Sequence, residues 1–180
     1  MKKQDVLIIT LLFIVFFVFY MTTNPHYGDA AAMHHMDMVY RGSPEVPSDL
    51  EVATDPSFEV GERVVSRADH MVGMMDGIEV TIVGAFDTVA YATTYTSTNS
   101  GMLVENHKWI VREEIVEKGD LEDGMEVQTT AEHMKGMRNA VHTIDYAIPT
   151  TVYMVDFELP NGVQVTNHKW VIEEELEAIE

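Results

Sequence analysis

The chain has 180 residues, no cysteine, 13 methionines and a formal net charge of −19. That length, less its N-terminal segment, holds one medium domain or two small ones. The missing cysteines exclude disulfides, thiolate ligands, a cysteine nucleophile and lipid attachment at a lipobox. The charge repels phosphate backbones and argues against nucleic acid as a partner.

Lys2 and Lys3 precede an apolar run, "VLIITLLFIVFFVFYM", from Val6 to Met21. As a helix this run rises about 24 Å, short of a hydrocarbon core roughly 30 Å thick. Residues 1–22 therefore read as a membrane anchor or a signal segment, with the acidic body on the extracytoplasmic side. Ala30 to Ala32 resemble a cleavage site but sit far from the apolar run, which favours a retained single-pass anchor at the cell membrane.

Residues 23–57 lack sustained periodicity and are punctuated by Pro44, Pro47 and Pro56, the pattern of a flexible tether. Inside it lies "MHHMDM". Met33, His34, His35, Met36 and Met38 offer three thioethers and two imidazoles. Thioether suits Cu(I) and Ag(I), and imidazole serves Cu(I), Cu(II) and Zn(II). The competing reading is a helical start from Ala30 to Tyr40 with incidental methionines.

From Phe58 onward the chain is a tandem repeat, residues 58–118 and 119–180. Gly61 to Met74 matches Gly124 to Met137 at an offset of 63, and Val89 to Ile115 matches Thr151 to Leu176 at 62 and then 61. The slip falls where "TSTNSG" faces "ELPNG", as a hairpin tip tolerates. Short β-branched and aromatic stretches with tight-turn signals predict an all-β fold. About five strands per unit suggest two small SH3-like β-barrels in series, or one pseudo-twofold body. Alternation puts Tyr91, Thr93 and Tyr95 on one face, and likewise Tyr153, Val155 and Phe157. Glu113 to Glu117 and Glu173 to Ile179 read as a short helix or an acidic strand end.

Each repeat carries His-Met-x-Gly-Met: His70, Met71 and Met74 in the first, His133, Met134 and Met137 in the second. Methionines three apart on a turn bring both sulfurs to one side, with the histidine nearby. The alternative is that the methionines plug a core while each histidine caps a carbonyl. "NHKW" also recurs, and alternation places His107 with Trp109 and Val111, and His168 with Trp170 and Ile172. Those tryptophans read as core anchors and the two histidines as hydrogen-bonded neighbours or further metal ligands. No phosphate loop, zinc-protease helix or nucleophile elbow is present, so catalysis is not expected.

"ADHM" followed by "GM", an aromatic strand, a Gly turn and "NHKW" before acidic residues, all twice over, resemble the YdhK-like family of Gram-positive surface proteins. Its repeat unit is a domain of unknown function that usually occurs twice. The resemblance covers residues 58 to 178, and one branch, the copper-resistance lipoproteins, binds copper at the cell surface. The missing lipobox cysteine leaves the apolar segment to hold the chain at the membrane. The resemblance and the donors together imply a non-catalytic protein that binds or sequesters copper in copper tolerance, with no organic cofactor. The alternative is an envelope interaction module that binds wall polymer or a partner protein.

Overall fold

The computed structural model describes residues 39–69 and 73–179. The apolar run of residues 6–21 and the donors Met33, His34, His35, Met36 and Met38 lie outside the described residues, as do His70 and Met71. Among the described residues no helix is long and apolar enough to cross a membrane.

Among the described residues eight strands make one sheet: β1 (Glu51–Val52), β2 (Arg63–Ser66), β3 (Glu79–Thr96), β4 (Leu103–Val111), β5 (Glu126–Gln128), β6 (Val141–Glu158), β7 (Gln164–Ile172) and β8 (Leu176–Ala178). Two 18-residue strands, β3 and β6, run antiparallel from Val80↔Phe157 to Tyr95↔His142. Thr88 and Thr150 occupy equivalent places in the two repeats and pair with each other. The pseudo-twofold axis therefore passes between them. The pairing skips Val83 on β3 and Asp145 on β6, again equivalent positions. A bulge adds a residue to one strand and bends it, so both long strands turn at matching points.

The outer edge of β3 is taken by β2, β1 and β4, and that of β6 by β5 and β7. The all-β fold and the two repeats are as the sequence suggested, but the two closed barrels are not. The sheet is open, in the order β5-β6-β3-β2-β8. The cause lies in β3 and β6, which pair with each other across the repeats instead of curling back within one repeat. Val64 of β2 pairs with Ala178 of β8, and Ile115 bridges Thr129. Each repeat thus lends its end to the other, and the outcome is the pseudo-twofold body.

Among the described residues three apolar clusters pack against the sheet. One holds Trp109, Trp170, Phe86, Ala90, Val152 and Met154 near the axis. A second gathers Val64, Met75, Ile82, Tyr153, Val155 and Phe157. The third gathers Tyr91, Tyr95, Ile110, Ile115, Met137 and Ile144. Period-2 alternation separates them: Tyr91 and Tyr95 go to one face of β3, Ala90 and Ala92 to the other.

Residues 39–57, part of the stretch expected to be a flexible tether, lie against the sheet. Gly42 N–H donates to Thr166 O at 2.8 Å and Thr166 N–H to Tyr40 O at 2.9 Å. Leu50 is buried in the tryptophan cluster, and β1 pairs with Asp87 and Phe86 of β3. Proline-rich sequence reads as loose, yet Leu50 and these backbone bonds hold it down as a strap.

Candidate functional site

Each repeat ends its second hairpin strand in a single 3-10 turn, Arg112–Glu114 and Glu173–Glu175. The third residue of each turn is a glutamate that folds back on its own strand end. Glu114 Oε2 accepts from Val111 N–H at 3.1 Å, and Glu175 Oε2 from Ile172 N–H at 3.2 Å. The same oxygens accept an indole N–H from the opposite repeat: Trp170 Nε1 to Glu114 at 3.1 Å, Trp109 Nε1 to Glu175 at 2.9 Å. A strand-end carboxylate in each half thus fixes a core tryptophan of the other.

Glu114 has one further partner. Its Oε1 lies 2.6 Å from His133 Nε2, and both side chains are 6% exposed. Burial alone would raise this carboxyl. The His133 imidazole and the hydrogen bonds from Val111 and Trp170 outweigh that and hold it below the usual carboxylate range. A carboxylate accepts only, so Nε2 carries the proton in this contact. His133 Nδ1 is then the remaining ring atom, buried and without a hydrogen-bond partner among the described residues. The ring also meets Trp170 edge-on at 6.2 Å.

The His-Met-x-Gly-Met residues of the second repeat therefore part company. Met137 is fully buried in the third cluster, and its sulfur accepts Met134 N–H at 3.3 Å. Met134 is half-buried against the same cluster. His133 faces Glu114 and Trp170 instead. In the first repeat, Met74 packs partly buried against its cluster, while the neighbouring Met75 is fully buried in it. The structure thus gives the core position to Met75, which the repeat offset assigned to Met74.

The expected sharing of a face by His107 with Trp109, and by His168 with Trp170, is overturned. Pairing steps from Tyr91↔Ile110 to Thr93↔His107, and from Tyr153↔Val171 to Val155↔His168. One extra residue on β4 and on β7 resets the alternation there. His107 meets Tyr95 edge-on at 5.9 Å and His168 meets Phe157 at 5.6 Å, whereas both tryptophans sit in the axial cluster. Among the described residues no group of three His, Asp or Glu side chains stands ready to hold a metal ion. Among the donors named from sequence and described, His133 has one ring nitrogen held by a carboxylate and the other, Nδ1, buried without a hydrogen-bond partner among the described residues.

The strap walls a cleft of about 520 Å³ beside this pair, lined by Val39, Gly42, Glu45, Glu132, His133 and Lys169 among others. Glu132 turns away from His133 to Arg138, at 2.8 Å. Lys169 Nζ donates to the Glu45 carbonyl and lies 5.8 Å from the Trp170 ring centre. Burial lowers its pKa, with Glu114 and Glu45 opposing. Lys108, its counterpart, has a raised pKa: burial works against its charge, and Asp69 at 2.8 Å outweighs it.

Two groups escaped the sequence reading. Glu114 was hidden in an acidic run that reads as solvated surface; its signal is a glutamate three residues past each strand end, at offset 61 from Glu175. His142 stands where the first repeat has Val80. It is fully buried, stacks on Tyr95 at 4.3 Å, lies 3.0 Å from Thr93 Oγ1 and bonds Met137 O at 3.2 Å. Burial lowers its pKa. A carbonyl only accepts, so Nε2 donates to Met137 and Nδ1 accepts the Thr93 hydroxyl proton.

A family model described as "Protein of unknown function (DUF1541)" matches residues 60–112 and 123–173. The uncharacterized protein YdhK of Bacillus subtilis (strain 168) is 44% identical over 160 residues, covering 87% of this chain and 77% of its own length. A crystal structure of ydhK from Bacillus subtilis superposes with a TM-score of 0.74 at 44% identity, over 81% of this chain and 100% of that one. The solution structure of the ydhK C-terminal domain gives a TM-score of 0.62 at 48% identity, over 67% of this chain and 93% of that one.

Proposed function

The chain belongs to the DUF1541 family, and from that premise we propose that it is a non-catalytic, extracytoplasmic, membrane-tethered protein that binds copper. Residues 6–21 serve as the anchor, and Met33, His34, His35, Met36 and Met38 collect the ion. In the body, His133 is a ligand of its own.

The observation that carries this reading is the Glu114–His133 pair. Histidines that bind metals characteristically give their other ring N–H to a carboxylate, which fixes the tautomer and raises the basicity of the ligating nitrogen. His133 has that arrangement, with Nε2 on Glu114 and Nδ1 left over. Nδ1 is buried, so an ion reaches it only when the structure around it opens. Met75 and Met137, sealed in the core, are not part of the centre.

The test is a Cu(I) titration of the full chain against a competing chelator. Replacing the five donors of residues 33–38 together weakens binding most. His133→Gln weakens it by about tenfold, the scale of losses at such supported ligands. Equal affinity in both variants would remove the proposal.

A further inference from the structure

The strap's seat on β7 has a twin that, among the described residues, holds no backbone partner. On β7 the outward-facing backbone of Thr166 takes both bonds of a short parallel bridge, from Gly42 N–H and to Tyr40 O, with Arg41 opposite. Asn167, left-handed at φ 51°, completes the seat by donating its side-chain amide to Gly42 O at 3.0 Å. The equivalent residues on β4 are Glu105 and Asn106. Their setting is the same: Val104 and His107 pair with Tyr95 and Thr93 as Val165 and His168 pair with Phe157 and Val155. Asn106 has φ 50°, and its N–H is held by Thr94 Oγ1 as Asn167 N–H is held by Asp156 Oδ1. Glu105 must therefore aim its N–H and carbonyl outward, as Thr166 does. Among the described residues no other strand or loop backbone bonds to it there, and Glu105 and Asn106 are exposed where Thr166 and Asn167 are half-covered.

We propose that the edge of β4 at Glu105 and Asn106 is a docking seat for an extended, glycine-containing, basic segment of a partner protein, added as a short parallel strand. The occupied twin specifies the occupant. Glycine is required over the asparagine, because a Cβ at Gly42 would stand 2.4 Å from the Asn167 carbonyl oxygen. The preceding residue is basic, because Glu105 replaces Thr166 opposite the position of Arg41, and opposite charges across a strand pair attract. The net charge of −19 draws such a segment in. Main-chain bonds to an open sheet edge supply affinity, and the glycine and the cation supply selectivity.

The probe is a fluorescent, capped peptide Val-Tyr-Arg-Gly-Ser-Pro, copying residues 39–44, titrated into the full chain. Saturable binding that weakens with salt is expected. Glu105→Pro removes the outward N–H, which a sheet edge tolerates, and lowers affinity about three- to tenfold for one lost bond. Glu105→Lys keeps the N–H and weakens binding through charge alone. A peptide with valine for its glycine does not bind. Circular dichroism identical to the parent's confirms that both variants fold. Absence of saturable binding overturns the proposal. Equal binding to Glu105→Pro also overturns it, by placing the peptide on β7. Self-association abolished by Glu105→Pro overturns the choice of occupant, giving the seat to a second copy.

Discussion

The two halves of the molecule share a backbone plan and differ in what they bury. At one end of the sheet Val80, Val155 and Phe157 pack as hydrocarbon; the positions related to them by the pseudo-twofold axis are His142, Thr93 and Tyr95. A buried polar set fixes one arrangement when every member is satisfied and is costly when one is not. The second half also seats the strap on β7, while among the described residues no backbone pairs with the matching edge of β4. Duplication produced the scaffold, and the differences mark where the halves took separate work.

The largest break in this comparison comes from Glu114→Ala. It leaves the indole of Trp170, the N–H of Val111 and the His133 ring without their acceptor, and should cost about 3–5 kcal/mol by chemical denaturation. The same carboxylate gives an acid limb. Its folded pKa is depressed, so its stabilisation is present above the ordinary carboxylate range and is lost as pH falls through the lowered value. Glu114→Gln should flatten that limb in unfolding curves taken across acid pH.

Met137→Ala follows, at about 2–5 kcal/mol for a fully buried methionine. Met74→Ala should cost clearly less, because its side chain is only half-buried and Met75 fills the core beside it. Equal losses at the two positions would contradict the shifted register of the two turns. Gly42→Ala should cost about 1–3 kcal/mol by overpacking. It should also speed proteolytic cleavage within residues 39–50, since the new Cβ drives the strap off β7.

The smallest effect concerns pH near neutrality. Unfolded, His142 takes up a proton as pH falls through about 6.5; folded, burial keeps it neutral to lower pH. Stability therefore declines as pH drops through 6.5 until the lowered folded value is reached. Copying the other half with Thr93→Val, Tyr95→Phe and His142→Val should shrink the difference between denaturation midpoints at about pH 7.5 and about pH 5.5.

Much of the fold was legible because repetition and alternation are local signals. Tyr91 and Tyr95, and likewise Tyr153, Val155 and Phe157, share faces as their spacing implied. What stayed hidden depended on partners far along the chain. Nothing near Glu114 announces that Trp170 and His133 will enclose it, and an acidic run disguises it as surface. The separation of His107 from Trp109 required knowing that β4 carries an extra residue against β3, and one inserted residue reverses every face beyond it. The barrel expectation failed for a related reason, since whether an 18-residue strand pairs with its own repeat or with its twin is decided by tertiary contact.

The division of labour among sulfurs is most directly tested by methyl spectra of the full chain with 13C-methyl-labelled methionine during addition of Ag(I), a redox-silent stand-in for Cu(I). The account predicts that the methyl signals of Met33, Met36 and Met38 shift first and together, while those of Met75 and Met137 stay in place. Early movement of the Met137 signal, with the segment's signals unchanged, would contradict it.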